Sequence, residues 1–319
     1  EQPSVIQLGG FEPEKLAKAS EMCEQYGGGY GEINLNCGCP SPRVAQRCFG
    51  AKLMLEPDLV REIVYSMQRR VSIPVTVKCR IGADHLDTYE DLTRFITSAS
   101  SGGVRKFIIH ARKCILKGLS PKQNREIPPL RYEVVHRLAK DFPELTFVLN
   151  GGINTFEQAK EHIGTDNHYT FSAPISSEDV VPTVETLPPL NGVMIGRAAY
   201  NNPCLFATAD SEFFGVKDPC LNRRQVLERY IDYCEWAQSD EGPSYVKNGK
   251  KSTVSTAVLL NAMRSIMHGL PNNQKFRTAL NDIYLEKLKG LNGDPNPSVR
   301  DVIEGSLLVL NDDDIDRPL

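Results

Sequence analysis

The sequence predicts an α/β chain of repeated strand-helix units around a parallel sheet. This is a TIM-type (β/α)8 barrel, incomplete at its N-terminus and followed by a small all-α domain. Three observations predict it. Short apolar runs alternate with amphipathic segments from the first residues to about Leu205. Runs such as Phe107-Ile108-Ile109 and Phe147-Val148-Leu149 are apolar without interruption, as in strands buried on both faces. Polar residues gather at or just beyond the C-terminal ends of these runs, the face on which such barrels build their sites.

The predicted strands are Val5–Leu8, Glu32–Asn36, Val75–Lys78, Lys106–His110, Thr146–Asn150 and Gly192–Ile195, with helical segments such as Pro57–Arg69 and Arg131–Asp141 between them. Six strands fall short of the eight of a closed barrel, so two further units are expected to precede Glu1. The barrel domain is placed at residues 1–210. Beyond Cys220 the strand signal disappears. Arg223–Gln238, Ser252–His268 and Gln274–Lys289 read as helices separated by Gly and Pro, which predicts a helical domain over 211–319. The acidic run Asn311-Asp312-Asp313-Asp314 reads as a solvated tail.

A chain of 319 residues with 40% hydrophobic content can bury a full core. No apolar run approaches the roughly 18 residues of a membrane span, and Glu-Gln-Pro-Ser is no signal peptide, so a soluble chain is expected. The chain starts with Glu, so any targeting segment would lie upstream. The expected compartment is the cytoplasm or an organellar matrix, plastid or mitochondrial, and the expected state is a monomer. Nine scattered cysteines favour free thiols in a reducing compartment. Cys37, Cys39 and Cys48 lack a second Cys or His pair at zinc spacing, so no metal is expected. The net charge of −3 gives no general attraction to nucleic acid, and such a partner would need a local basic face.

Several constellations carry chemistry. Asn36 ends a strand and Cys39 sits in the turn beyond it, where a thiol can deliver a proton and an amide can hold a planar substrate. Asn150-Gly151-Gly152 and Gly196-Arg197 come after consecutive strands. They read either as a phosphate cradle with a cationic arm or as two tight turns. Lys78 projects from an apolar strand, where a cation needs an anionic or electron-rich partner such as a reduced flavin. His110 has a similar position, with a core histidine as the plainer reading. Arg112, Lys113, Lys117, Lys122 and Arg125 make a basic loop suited to nucleic-acid phosphates or to solvent.

In chain order, N-L-N-C-G-C-P-S, V-T-V-K-C-R-I-G, F-I-I-H-A-R-K, L-S-P-K-x-N-R-E-I-P-P-L, L-N-G-G-I and V-M-I-G-R-A-A-Y-x-N-P resemble the tRNA-dihydrouridine synthases, specifically their A-type subfamily. The likeness runs from residue 5 to about residue 206. It implies an FMN enzyme that uses NADPH to reduce uridines of the tRNA D-loop, around positions 20 and 20a. By this resemblance Cys39 gives a proton to C5 while hydride passes from the flavin to C6, and Asn36 touches the uridine. Gln7, Lys78 and His110 match flavin contacts, and Asn150, Gly151, Gly152, Gly196 and Arg197 match the FMN phosphate site. Lys122 and Arg125 match tRNA contacts, and Gln274 and Arg277 occupy the positions of the helical domain's paired arginines.

Four departures from the family pattern stand out. The opening β/α units with their flavin-binding loop have no counterpart, and residues from about 165 to 189 form an insertion. Gly50-Ala51 is followed by Lys52 rather than Cys, and Gln274 replaces one of the paired arginines. Two other readings remain: a flavin dehydrogenase of a free pyrimidine, told apart by turnover without tRNA, and a non-catalytic or truncated tRNA-binding protein, told apart by tRNA binding without flavin affinity.

Overall fold

The computed structural model describes residues 4–26, 29–41, 49–163, 188–247, 250–290 and 297–319. The chain divides into two compact units, Glu1–Gly196 and Arg197–Leu319. The division falls before the residue 210 expected from the sequence.

In the first unit the elements alternate as β1 (Ser4–Leu8), α1 (Pro13–Tyr26), β2 (Tyr30–Asn36), α2 (Pro57–Gln68), β3 (Val75–Arg80), α3 (Tyr89–Ser101), β4 (Lys106–His110), α4 (Tyr132–Asp141), β5 (Thr146–Asn150), α5 (Phe156–Ile163) and β6 (Gly192–Met194). The six strands form one sheet in sequence order, and every pairing is parallel. Neighbouring parallel strands joined by helices make the wall of a partial (β/α) barrel. All six predicted strands are present. β3 runs on to Arg80 and β6 stops at Met194, short of the predicted Ile195.

Local chemistry accounts for the helices. α2 starts with a proline in its first turn and buries Val60, Ile63, Val64 and Met67, one stripe at helical spacing. Thr88 and Asp91 form a reciprocal capping box at the start of α3, which buries Leu92, Phe95, Ile96 and Ala99. Arg131, predicted to begin α4, has a non-helical backbone and precedes it.

The central strands of the sheet are largely buried, and their two faces differ. Ile33, Leu35, Val75, Val77, Phe107, Ile109, Phe147 and Leu149 alternate on the apolar side. The Phe107 and Phe147 rings stack with centroids 5.9 Å apart. Glu32, Asn34, Thr76 and Arg80 lie on the other, concave side and are also buried.

The second unit contains α6 (Arg197–Asn201), α7 (Ala209–Phe214), α8 (Arg223–Gln238), β7 (Ser244–Lys247), β8 (Lys250–Thr253), α9 (Thr256–Met263), α10 (Asn273–Gly290), α11 (Val299–Leu307) and α12 (Asp312–Asp316). It corrects two expectations. The unit is not all-α, because β7 and β8 pair antiparallel, so the predicted helix Ser252–His268 begins only at Thr256. The run Ser244-Tyr245-Val246-Lys247 and the dipeptide Asn248-Gly249 carried a hairpin signal that the helix reading passed over.

The acidic stretch is not a free tail either. Asn311 caps α12, Ile315 is fully buried, and Arg224 pairs with Asp316 at 2.6 Å and with Asp312 at 2.5 Å. One apolar residue inside an acidic run decides the difference, since burying Ile315 docks the segment on the core formed with Leu227, Ile231 and Ile303. Among the described residues no helix is long and apolar enough to cross a membrane.

Phe147→Ala is expected to destabilise the first unit by about 3–5 kcal/mol, the usual cost of deleting a buried aromatic ring. Urea unfolding followed by circular dichroism measures it, and a loss under about 1 kcal/mol would contradict the packing described.

Candidate active site

β2 ends at Asn36, and the side chain of that residue shapes the turn beyond the strand. Asn36 Oδ1 accepts from the backbone N–H of Gly38 at 3.0 Å and of Cys39 at 3.1 Å, closing an Asx-type turn that holds the Cys39 backbone. Cys37 N–H donates to the Lys78 carbonyl at 2.8 Å, and Ala51 N–H to the Cys39 carbonyl at 3.0 Å, so the turn is tied on both sides. Among the nearby thiols Cys39 is half-buried, whereas Cys37, Cys79 and Cys114 are buried. Burial pushes Cys37 well above the ordinary thiol range, Cys79 to about 12 and Cys114 to about 11, so these three stay protonated and inert.

On the adjacent strand, Lys78 lies opposite Asn36 in register. Its ammonium donates to Asn150 Oδ1 at 2.8 Å, and Asn150 Nδ2 donates to the Met194 carbonyl at 2.8 Å, so β3, β5 and β6 are joined at their ends. Burial pushes Lys78 down to about 8, with Cys79 opposing and Arg80 adding to the shift. Among the described residues no carboxylate pairs with this cation.

The Gly151-Gly152 turn comes directly after Asn150, with φ of +114° and +72°. Side chains rarely adopt these values, and a Cβ on Gly151 would come within 2.5 Å of His110 Cδ2. One on Gly152 would come within 2.6 Å of Leu130 Cδ1. His110, opposite Asn150 in register, therefore packs directly on the turn.

Behind the turn, the Tyr132 hydroxyl donates to the Gly151 carbonyl at 2.6 Å. The Tyr132 ring meets His162 edge-on, with centroids 4.7 Å apart. His162 Nδ1 lies 3.1 Å from His136 Nε2, and His136 Nδ1 lies 2.9 Å from the Pro188 carbonyl. Burial lowers both histidines, His162 to about 4 with the His136 neighbour adding to the shift. The space beside Gly196 is open. Arg197 is exposed and opens the second unit, where Gln274 and Arg277 are exposed near the start of α10.

The basic loop is less basic than its sequence. Arg112 turns inward to the Pro128 and Glu126 carbonyls, and Lys113 pairs with Asp87 at 2.6 Å. Lys117 and Lys122 are exposed, while Arg125 is half-buried with a buried Nε that has no hydrogen-bond partner among the described residues. The loop is organised by Asn124, which sequence reasoning did not place in the site, and by Arg80, which it counted among the polar strand ends without a role. Buried Asn124 bonds both ways to the Ile115 backbone, at 2.8 Å and 2.9 Å. Buried Arg80 donates to the carbonyls of Gly38 at 3.0 Å, Lys113 at 3.1 Å and Asn124 at 3.0 Å. One guanidinium thus joins the Cys39 turn to the loop bearing Lys122 and Arg125. Its position two residues after Lys78, on the same face of the strand, places Arg80 at the strand ends, but its three carbonyl partners are set by the fold. Cys48 and the inserted stretch, apart from 188 and 189, lie outside the described residues.

The sequence pattern of the dihydrouridine synthase (Dus) family matches residues 1–167 and 188–293. The chain belongs to this family. The break at 168–187 falls inside the stretch read as an insertion. Relatives named tRNA-dihydrouridine(20/20a) synthase include one from Synechocystis sp., 42% identical over 89% of this chain and 74% of its own length. Another, from Vibrio cholerae, is 47% identical over 74% of this chain and 64% of its own length. A third, from Pseudomonas aeruginosa, is 41% identical over 88% and 73%. The chain thus spans roughly two thirds to three quarters of the length of these relatives.

The histidine pair makes stability depend on pH. Unfolded histidine takes up a proton below about 6.5, whereas His162 in the folded protein stays neutral down to about 4. Between these values the unfolded state binds more protons, so stability falls as pH falls through the window. Thermal melts from pH 7 to pH 4 should show this decline, with a shallower slope in His162→Gln; equal slopes would contradict the assignment.

Proposed function

We propose that this chain performs an FMN-dependent reduction of tRNA uridines in the D-loop, around positions 20 and 20a, to 5,6-dihydrouridine with NADPH as reductant. The observation that carries the reading is Lys78. It is a largely buried ammonium held only by a neutral amide among the described residues, beside a Gly-Gly turn and across one strand pairing from the Cys39 turn. A cation so placed fits the electron-rich end of a reduced flavin ring, and a turn whose Cβ positions are filled by neighbours admits close backbone approach to a phosphate. The names of the relatives support the substrate.

Gln7, Lys78 and His110 would hold the ring, and Asn150, Gly151, Gly152, Gly196 and Arg197 the phosphate. An FMN held by these residues would supply hydride chemistry for C6 of the uracil, with NADPH as its reductant. Cys39 delivers the proton to C5, so hydride and proton together saturate the double bond. Asn36 keeps one amide hydrogen for a uracil carbonyl, since its oxygen and its other hydrogen are engaged within the protein. The base must first leave the folded tRNA stack. Lys122, Arg125, Gln274 and Arg277 would contact tRNA without reading bases.

Titration of the chain with FMN, monitored by flavin fluorescence, should saturate. Cys39→Ala should bind FMN within about twofold of wild type and lose dihydrouridine formation by on the order of 10²–10⁴. Equal activity of the variant would remove Cys39 from the mechanism. Affinity for tRNA should fall steeply between about 50 and 200 mM salt, and a flat dependence would argue against phosphate contacts.

A further inference from the structure

The concave face of the sheet carries a continuous line of side-chain hydrogen bonds running from the start of β4 to the Cys39 turn. Lys106 Nζ donates to Glu32 Oε2 at 2.8 Å, and the Thr76 hydroxyl faces Glu32 Oε1 at 3.4 Å, the longest rung. Asn34 Nδ2 donates to Thr76 Oγ1 at 2.8 Å, Gln7 Nε2 to Asn34 Oδ1 at 2.8 Å, and Asn36 Nδ2 to Gln7 Oε1 at 3.0 Å. Asn36 Oδ1 then accepts the Gly38 and Cys39 N–H groups.

Both ends impose the same direction on the line. A carboxylate paired with an ammonium only accepts, so the Thr76 proton points to Glu32 and the Thr76 oxygen is left to accept from Asn34. That turns the Asn34 oxygen to Gln7 and the Gln7 oxygen to Asn36. At the far end two backbone N–H groups only donate, which requires the Asn36 oxygen toward the turn and its NH2 toward Gln7. A reversed Asn34 amide would set two donors or two acceptors face to face among buried groups, and a reversed Gln7 or Asn36 amide would do the same at the more open end of the line.

We infer that Glu32, Thr76 and Asn34 are positioning residues: they fix the amide orientation of Gln7 and Asn36 and, through Asn36, the turn that presents Cys39. Bonded on both sides, the exposed Gln7 amide has one favoured orientation, in which it offers one N–H and one oxygen lone pair to whatever binds above it. The value of this to a flavin rests on the function proposed above; the control of the Cys39 turn does not.

Thr76→Val keeps shape and removes the hydroxyl at the middle of the line, whereas Thr76→Ser keeps the hydroxyl. Mass-spectrometric hydrogen exchange of the segment spanning residues 33–41 reads the turn, exchange of Tyr132–Asp141 controls for global unfolding, and peptide-mapped alkylation by iodoacetamide reads Cys39. In Thr76→Val, exchange at Gly38 and Cys39 and alkylation of Cys39 should each rise by roughly five- to tenfold, the loss of about one hydrogen bond. The control helix should be unchanged, and Thr76→Ser should stay within about twofold of wild type. A folded Thr76→Val with wild-type exchange and alkylation would overturn the proposal.

If Thr76→Val does not fold, side-chain amide exchange in 15N-labelled wild-type protein decides. Slow exchange of one Nε2 proton of Gln7 and one Nδ2 proton of Asn34 supports the line, and fast exchange of both overturns it. An FMN titration of the same proteins is separate: absence of binding with the exchange pattern intact would refute the cofactor assignment and leave the positioning role standing.

Discussion

The rest of the first unit depends on the need to satisfy polar groups on the buried concave face of a parallel sheet. Glu32, Asn34, Thr76 and Arg80 are each less than a tenth exposed. Each would cost on the order of 1–3 kcal/mol or more if left unbonded, and water is largely excluded. The sheet meets this requirement internally, with the Lys106–Glu32 pair near the strand starts and the Asn36 turn at their ends. A face bonded in this way has one amide arrangement rather than several, and that limits how the Cys39 turn can sit.

Arg80 extends the same constraint into the loops. Its planar fork satisfies three carbonyls from three different segments, which no lysine could match with the same geometry. Burial lowers its pKa somewhat, yet a guanidinium remains charged, so the junction does not loosen across the working pH range. The loops after β2 and β4 are therefore held to one another by a strand residue. Lys78 is the complementary case: its cation has a neutral partner at 2.8 Å, and burial has already shifted it to about 8, which leaves it responsive to a bound anion. On the far side of the Gly151 turn, Tyr132 and the neutral His162–His136 pair supply support without charge.

Sequence patterning was sufficient for the six parallel strands, because uninterrupted apolar runs at βα spacing have few other uses, and for the family, because its motifs are local strings of residues. It also identified Cys39, Lys78, His110 and the Asn150-Gly151-Gly152 turn as strand-end residues, since strand boundaries directly define the C-terminal ends. It failed where a local pattern was outweighed by one contact. The acidic run became α12 through Ile315 and Arg224, and the helix expected at Ser252 gave way to a hairpin.

Which polar residues bond to which was decided by tertiary structure alone. Gln7, Asn34, Thr76 and Lys106 come from β1, β2, β3 and β4, and their partnership arises from strand register, to which sequence distance gives no clue. The same holds for Arg80, whose three carbonyl partners lie about 33 to 44 positions away along the chain. Periodicity and composition determined the elements and the residue types offered at their ends, because these depend on neighbours along the chain. Packing determined the direction of each hydrogen bond and the effective charge of the loop, because these depend on neighbours in space.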